Sequence, residues 1–223
     1  MNNFTKRQDA GTGHGLETGT PNQYQIWDPV KSQARVVVVN ETSTPICSVS
    51  VVHKYSDVYK NRHEWPAVLT GTRAESEMTV DYQTGAATTG RDWWIITWYS
   101  EDMKTLWYSD PNNFRGLLDK LESLAPDIVK EVAERIDALL AKKDQASEEE
   151  AMMVADLARF LARATTDHLF NSEATERFKQ HILREEDADA LTEIVINPDR
   201  TITFQSKSGN SNTVASHKAL SAE

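Results

Sequence analysis

The stretch TVDYQTGAATTGRDWWIITWYSEDMKTLWY, from Thr79 to Tyr108, limits what this chain can fold into more than any other part of it. Between Trp93 and Ser100 a period of two sends Trp94, Ile96 and Trp98 to one face and Trp93, Ile95, Thr97 and Tyr99 to the other. The first face carries no polar group and has to be core. The second is mostly apolar too, which predicts a central strand whose outer side is covered by other elements. A polar turn over Glu101 to Lys104 leads to a second aromatic strand, Thr105 to Tyr108.

The same period of two predicts strands over Arg35 to Asn40 (RVVVVN), Ile46 to Tyr55 and Glu77 to Tyr82. In the second of these, Cys47, Val49, Val51, His53 and Tyr55 fall on one face. Val58 to Val68 reads as irregular and aromatic, with an extended or turning Trp65-Pro66.

At Asp110 the period changes to that of a helix. Asp110 and Pro111 read as an N-cap with proline in the first turn of a helix reaching about Leu124. Pro126 starts a second helix, with Ile128, Val129, Val132, Ile136, Leu139 and Leu140 along one stripe. Ser147 and Glu150 form a capping box for a third, whose stripe is Met153, Leu157, Phe160, Leu161 and Ala164. Ser172 would cap a fourth, burying Phe178, Ile182 and Leu183.

Strand pattern returns at Leu191 to Asn197 and Thr201 to Lys207 around the turn Asn197-Pro198-Asp199-Arg200. Two late strands do not make a stable sheet alone, so they are expected to rejoin the first sheet. The predicted fold is mainly β: an antiparallel β-sandwich at 34–209 with an α-helical insertion at about 110–190. A flexible arm (1–33) and a loose polar tail (210–223) flank it.

At 223 residues the chain is long enough to bury a proper core. Its net charge of −10 disfavours nucleic acid, which requires clustered Lys and Arg, and electrostatic docking on anionic lipid. Residues Asp110 to Ala190 hold 19 acidic and 11 basic side chains, so a net −8 of that charge lies in the helical segment. The lone Cys47 excludes an intrachain disulfide and a CxxC metal knuckle. With no apolar signal core and no membrane-length apolar run, the expected location is the cytoplasm.

Few motifs carry chemistry. GTGHG at Gly11 to Gly15 follows no strand and opens no helix, so it is not a dinucleotide fingerprint. QTGAATTGRD, Gln83 to Asp92, could cradle an anion with Arg91, but no Lys-Ser/Thr follows to make a P-loop. Plain turn chemistry explains its glycines equally well, and Arg91-Asp92 reads as an ion pair. Trp93, Trp94, Trp98 and Trp107 could line a sugar or lipid-headgroup site, although core packing accounts for the inner face. His181 and Glu185 stand four apart on an expected helix, without the HExxH of a zinc protease. Ser/His/Asp sets can be drawn from His53 and Asp57, but no serine lies in a nucleophile elbow. The candidate ligand contacts are therefore Arg91, Asp92, Trp93, Tyr99 and His53, with no catalytic set, metal ligands or cofactor implied.

Four separated blocks carry a resemblance: VSVVHKYSD (Val49 to Asp57), TGRDWWIITW (Thr89 to Trp98), NNFRGLLD (Asn112 to Asp119) and FKQHILR (Phe178 to Arg184). Together they resemble the PUD domain family, named for proteins up-regulated in long-lived nematodes and with relatives in fungi. That family is similar in fold to the aegerolysins, small acidic proteins that bind membrane lipids, some with a pore-forming partner. The resemblance implies a jelly-roll-type β-sandwich without recognised enzymatic activity, and a binding or interaction protein. Its partners would be another protein, a second subunit in a homo- or heterodimer, or a small-molecule or lipid ligand. The rival readings are an enzyme or ligand binder of fungal secondary metabolism or stress response, with an apolar pocket between sheet and helices, and a neutral-lipid or sphingolipid binder. The long helical segment and N-terminal arm depart from the aegerolysins.

Overall fold

The computed structural model describes residues 29–85, 88, 90–110, 134, 138, 147–171 and 178–220. Among them are eleven strands: β1 (Val30–Asn40), β2 (Ile46–Tyr55), β3 (Tyr59–Val68), β4 (Thr72–Arg73), β5 (Met78–Thr84), β6 (Asp92–Ser100), β7 (Thr105–Ser109), β8 (Lys179–Gln180), β9 (Leu191–Ile196), β10 (Thr201–Ser206) and β11 (Gly209–Ala219). One helix, α1 (Glu148–Asn171), runs across the outside. The expected N-terminal arm and the helices from Asp110 and Pro126 lie outside the described residues, apart from single helical positions at Glu134 and Ala138.

The strands follow the order β3-β2-β6-β7-β11-β10-β9-β1-β4, with β5 also on β1 and β8 on β6. β11 joins the two halves, pairing through Gly209–Val214 with β10 and through Ala215–Ala219 with β7. The sheet curls until β5 faces β3, and side chains bridge the seam. The Trp65 indole donates to the Ser76 carbonyl at 2.9 Å, and Asn61 Oδ1 accepts the Asp81 N–H at 3.0 Å. The result is a barrel-like sheet, nearly closed.

Both returning strands rejoin the first sheet as expected, but the sheet is not purely antiparallel. β9 runs parallel to β1, from Arg35↔Leu191 to Asn40↔Ile196. Parallel neighbours need a long crossover, and the whole chain between Asn40 and Leu191 supplies it.

β6 is the central strand that its alternation predicts. Trp94, Ile96 and Trp98 join Val36, Val38, Val49, Val51, Ile194 and Phe204 in the interior. Tyr99 packs on the opposite side with Cys47, Met103, Leu106 and Leu161 of α1, while Ile95 meets Val52, Tyr108 and Phe178.

Several expectations give way to local geometry. Val58 to Val68 is not irregular: Tyr59–Val68 is strand β3. Pro66 is tolerated because β3 ends the strand order and needs no second ladder of N–H donors. Cys47 does not share the face of Val49. Ser48 adopts φ 47° and the β2/β6 register shifts between Cys47 and Ser50, so the bulge turns Cys47 outward toward α1. Phe178 to Leu183 is not a helix either. Lys179–Gln180 is strand β8 on β6, the chain from His181 to Arg184 is neither helix nor strand, and Phe178, His181 and Leu183 are buried. The segment from Ser208 is no loose tail, because Gly209–Ala219 is β11. Its polarity belongs to an exposed outer face, while its backbone bonds are taken by β10 and β7.

The capping box of α1 forms: Ser147 N–H meets Glu150 Oε2 at 3.1 Å, and Glu150 N–H meets Ser147 Oγ at 3.2 Å. The buried face of the helix is rotated from the expected stripe. Met153 and Phe160 are 46% and 53% exposed, whereas Ala158, Leu161, Ala162, Thr165 and Thr166 are buried. Hydrophobicity alone misplaces this face because hydroxyls bond across the interface. Tyr99 and Thr165 hydroxyls lie 2.9 Å apart, and those of Ser50 and Thr166 3.0 Å apart.

These faces set two expected outcomes. Trp98→Ala removes a buried ring from the interior and should cost about 3–5 kcal/mol, leaving little folded protein. Trp93→Ala, on the half-buried outer side against the cluster of Val52, Ile95, Tyr108 and Phe178 on which Phe170 of α1 also packs, should cost roughly 1–3 kcal/mol and make α1 easier to cleave. Thermal unfolding with limited proteolysis checks both. Unchanged melting of Trp98→Ala would reverse the faces.

Candidate functional site

Strand pairing brings two of the five sequence candidates together. β2 and β6 are in register as His53↔Trp94 and Tyr55↔Asp92, so His53 and Asp92 are diagonal neighbours on the inner face. His53 Nε2 lies 2.7 Å from Asp92 Oδ1, with both side chains wholly buried. Asp92 Oδ2 accepts the Leu183 N–H at 2.9 Å, and the Asp92 carbonyl accepts the His181 N–H at 3.3 Å. This carboxylate therefore holds β2, β6 and the segment after β8 at one point.

From His53 the polar chain continues outward. His53 Nδ1 lies 3.3 Å from Asn61 Oδ1, and Asn61 Nδ2 donates to Asp81 Oδ2 at 3.2 Å. Asp81 also accepts from Gln33 at 2.8 Å and pairs with Lys31 at 2.9 Å. Burial works against the Asp81 charge, but the hydrogen bonds from Gln33, Lys31 and Asn61 outweigh it and hold its carboxyl below the usual range. The series Asp92–His53–Asn61–Asp81–Lys31 runs from core to surface across β6, β2, β3, β5 and β1. The Trp94 ring backs it, 4.2 Å from His53, and the Trp94 indole donates to the His181 carbonyl at 2.9 Å.

The other candidates lie elsewhere. Arg91 is exposed, and its backbone N–H and carbonyl pair with Ser56 at 3.1 and 3.0 Å; no ion pair joins it to Asp92. Trp93 and Tyr99 face the opposite side of β6, and the Tyr99 hydroxyl is engaged with Thr165. Gly90, at the end of the glycine-rich stretch, is closely packed. A Cβ on Gly90 would lie 2.1 Å from the Tyr55 ring, so no larger residue fits there. His181 and Glu185 do not share a helix as expected, since His181 stands in chain that is neither helix nor strand and Glu185 opens a short 3-10 turn. Among the described residues no cluster of three His, Cys, Asp or Glu side chains is placed to hold a metal ion.

Three groups escape a reading of the sequence. Lys54 occupies an outer position on β2 that alternation assigns to solvent, yet it is buried with its ammonium 4.6 Å above the Phe178 ring. Burial, reinforced by Lys60 across the ladder and opposed by Asp57, lowers this amine to about 8. His181 is buried beside the Phe204 ring, with Nδ1 2.9 Å from Ser211 Oγ and, among the described residues, no hydrogen-bond partner at Nε2. Trp107 is half-buried and stacks on Trp98 with centroids 6.1 Å apart, while His217 and Arg200 lie 4.6 and 5.2 Å from its ring. The pattern TLWYS signals only a strand, and Arg200 and His217 come from distant segments.

His181 gives the fold an acid sensitivity with a definite sign. Burial lowers its pKa to about 4; Asp187 and Asp92 oppose this and Lys179 adds to it. The unfolded chain, titrating near 6.5, takes up this proton before the folded one. Stability is therefore lost as pH falls from about 6.5 toward 4. His181→Phe should flatten the fall in melting temperature across that window, by up to about one proton in the linkage slope. Parallel curves for variant and wild type would contradict this.

No helix among the described residues is long and apolar enough to cross a membrane. No curated protein matches the chain. A family profile described as "Up-Regulated in long-lived daf-2" matches residues 30–215, which span β1 through the first half of β11. By that match over most of its length, the chain belongs to the PUD family.

Proposed function

We propose that this is a non-catalytic binding or interaction protein that works in the cytoplasm and holds a ligand or partner without turnover. The observation that carries this reading is the enclosure of His53 and Asp92. They form the carboxylate–imidazole couple best suited to acid–base work, yet both are wholly buried. Asp92 has each oxygen engaged, and the hydrogen bonds of His53 go to Asp92 and Asn61, with no hydroxyl or thiol as partner. General acid–base chemistry needs a group within reach of a substrate proton. This pair faces protein on every side.

Two further observations support the proposal. The Cys47 thiol is buried against α1 and pushed up to about 11 by burial and the nearby Glu101, so it stays a protonated, inert packing group suited to a reducing compartment. The interface between α1 and the sheet, where the rival reading puts an apolar pocket, is occupied by Cys47, Tyr99, Met103, Leu106 and Leu161. An aegerolysin-like jelly-roll sandwich belongs to the same proposal. The sharing of β11 between β10 and β7 supports it, since it lets the closed sheet be described as two facing layers joined along one strand.

Aryl ester and aryl phosphate hydrolysis by wild type and His53→Asn tests the reading. No His53-dependent turnover is expected, together with a clearly lowered melting temperature for the variant. Turnover lost in His53→Asn at unchanged melting temperature would establish catalysis instead. Co-sedimentation with neutral sphingolipid vesicles in the same series would move the assignment to lipid.

A further inference from the structure

The chain from Phe178 to Ala190 crosses one end of the barrel as a strap. It leaves β6 through the two-residue pairing of β8. It reaches β1 where the Asp189 N–H meets the Gln33 carbonyl at 2.8 Å and the Arg35 N–H meets the Ala190 carbonyl at 2.9 Å. Between these points the Tyr82 hydroxyl of β5 donates to the Arg184 carbonyl at 2.9 Å. Asp187 accepts the Arg184 N–H at 2.7 Å and the Ser208 N–H of the β10–β11 turn at 2.8 Å. These contacts ring the end of the barrel at which His53 and Asp92 lie.

Polar contacts hold the strap more than burial does. Leu183 is its one side chain in the main interior cluster, and Phe178 anchors its start on the outer face. Ile182, Arg184, Glu185, Glu186, Ala188 and Asp189 are all exposed. A segment with so little buried apolar surface and so short a ladder lies at the low end of local stability in a fold, below the long strands around it.

His181 is the buried titratable group at the centre of these contacts. Its N–H meets the Asp92 carbonyl at 3.3 Å, and its carbonyl accepts from the Trp94 indole at 2.9 Å. Ser211 satisfies Nδ1, and among the described residues nothing bonds Nε2. A neutral ring fits this setting, but an imidazolium carries a donor on both nitrogens and leaves the second one buried and unmet. His53 differs, because its ring faces the Asp92 carboxylate. Around His181, Asp92 of β6 and Asp187 of the 3-10 turn favour a positive ring, Lys179 of β8 opposes it, and burial outweighs the carboxylates. Tyr82 of β5 stays neutral, its ionisation pushed up by burial, and β10 and β11 present only the uncharged Phe204 and Ser211.

We propose that the strap is an acid-released latch: when His181 takes up a second ring proton, its side chain leaves for water, the strap lifts with it, and the barrel opens at Asp92 while its wall stays folded. The bonds made by the His181, Leu183 and Arg184 N–H groups flank the ring and break together. The cost of the buried charge is thereby relieved by one segment, without unfolding of the whole chain. Opening uncovers the Trp94, Phe204 and Tyr82 side of the interior and brings water to the Asp92 carboxylate.

Amide hydrogen exchange of the full chain, read by NMR over a series of pH values and corrected for intrinsic rates, tests the latch. The His181, Leu183 and Arg184 amides should lose protection by about tenfold per pH unit as pH falls from about 6.5 toward 4, the slope of one proton taken up on opening. The ladder amides of β1 and β9 should stay protected over the same range. In H181F, and in H181N, which keeps a donor for Ser211, no proton is taken up at this position and the strap amides should hold their protection at every pH. Equal loss of protection in the strap and in β1 and β9 would show global unfolding and overturn the latch, a comparison that wild type alone supplies. Strap protection that ignores pH, or a pH dependence that survives in either variant, would overturn it as well.

Discussion

A buried carboxylate determines how this barrel closes. Asp92 sits at the start of the central strand with both oxygens engaged, one by His53 on β2 and the other by the Leu183 backbone after β8. An uncompensated charge in this interior would cost several kcal/mol, so its partners are coupled to its presence. The segment that follows α1 must therefore pass over β6 at this point. Further along it, Asp187 accepts from the Ser208 N–H and hydroxyl and so ties the same segment to the β10–β11 turn. Polar contacts steer the late chain, and the valines, isoleucines and tryptophans fill the space that results.

The outer face of β6 obeys a different rule. α1 is held by Leu161 and Leu157 against Tyr99 and Met103, by paired hydroxyls, and by ion pairs of Arg62 with Asp167 and Arg163 with Glu64. A cover that bonds through Thr165 and Thr166 is less apolar than the barrel interior. This explains why its face does not follow the helix's most hydrophobic stripe.

How much of this was legible follows from the range of each signal. The faces of β6 are local, since alternation within nine residues separates Trp94, Ile96 and Trp98 from Trp93 and Tyr99. The cap at Ser147 and Glu150 is local as well. β3 was hidden because Pro66 reads as a breaker unless its strand is known to be an edge. The phase of Cys47 depends on a single left-handed serine. Phe178 to Leu183 has helix-like spacing but obeys Asp92, which lies 91 positions from Leu183. β11 is too polar to announce itself as a strand. At the site, His53 and Asp92 were each visible as candidates, but their union needs the β2/β6 register, and Arg200, Trp107 and His217 meet only once the barrel closes.

The central claim is that His53 and Asp92 act as one structural unit. A double-mutant cycle of Asp92→Asn and His53→Asn, read by urea unfolding, measures this most directly. Each single change should cost about 3–5 kcal/mol and the double far less than their sum, giving a coupling of about 2 kcal/mol or more. Additive single costs, or singles as stable as wild type, would show that the pair does not hold the barrel together.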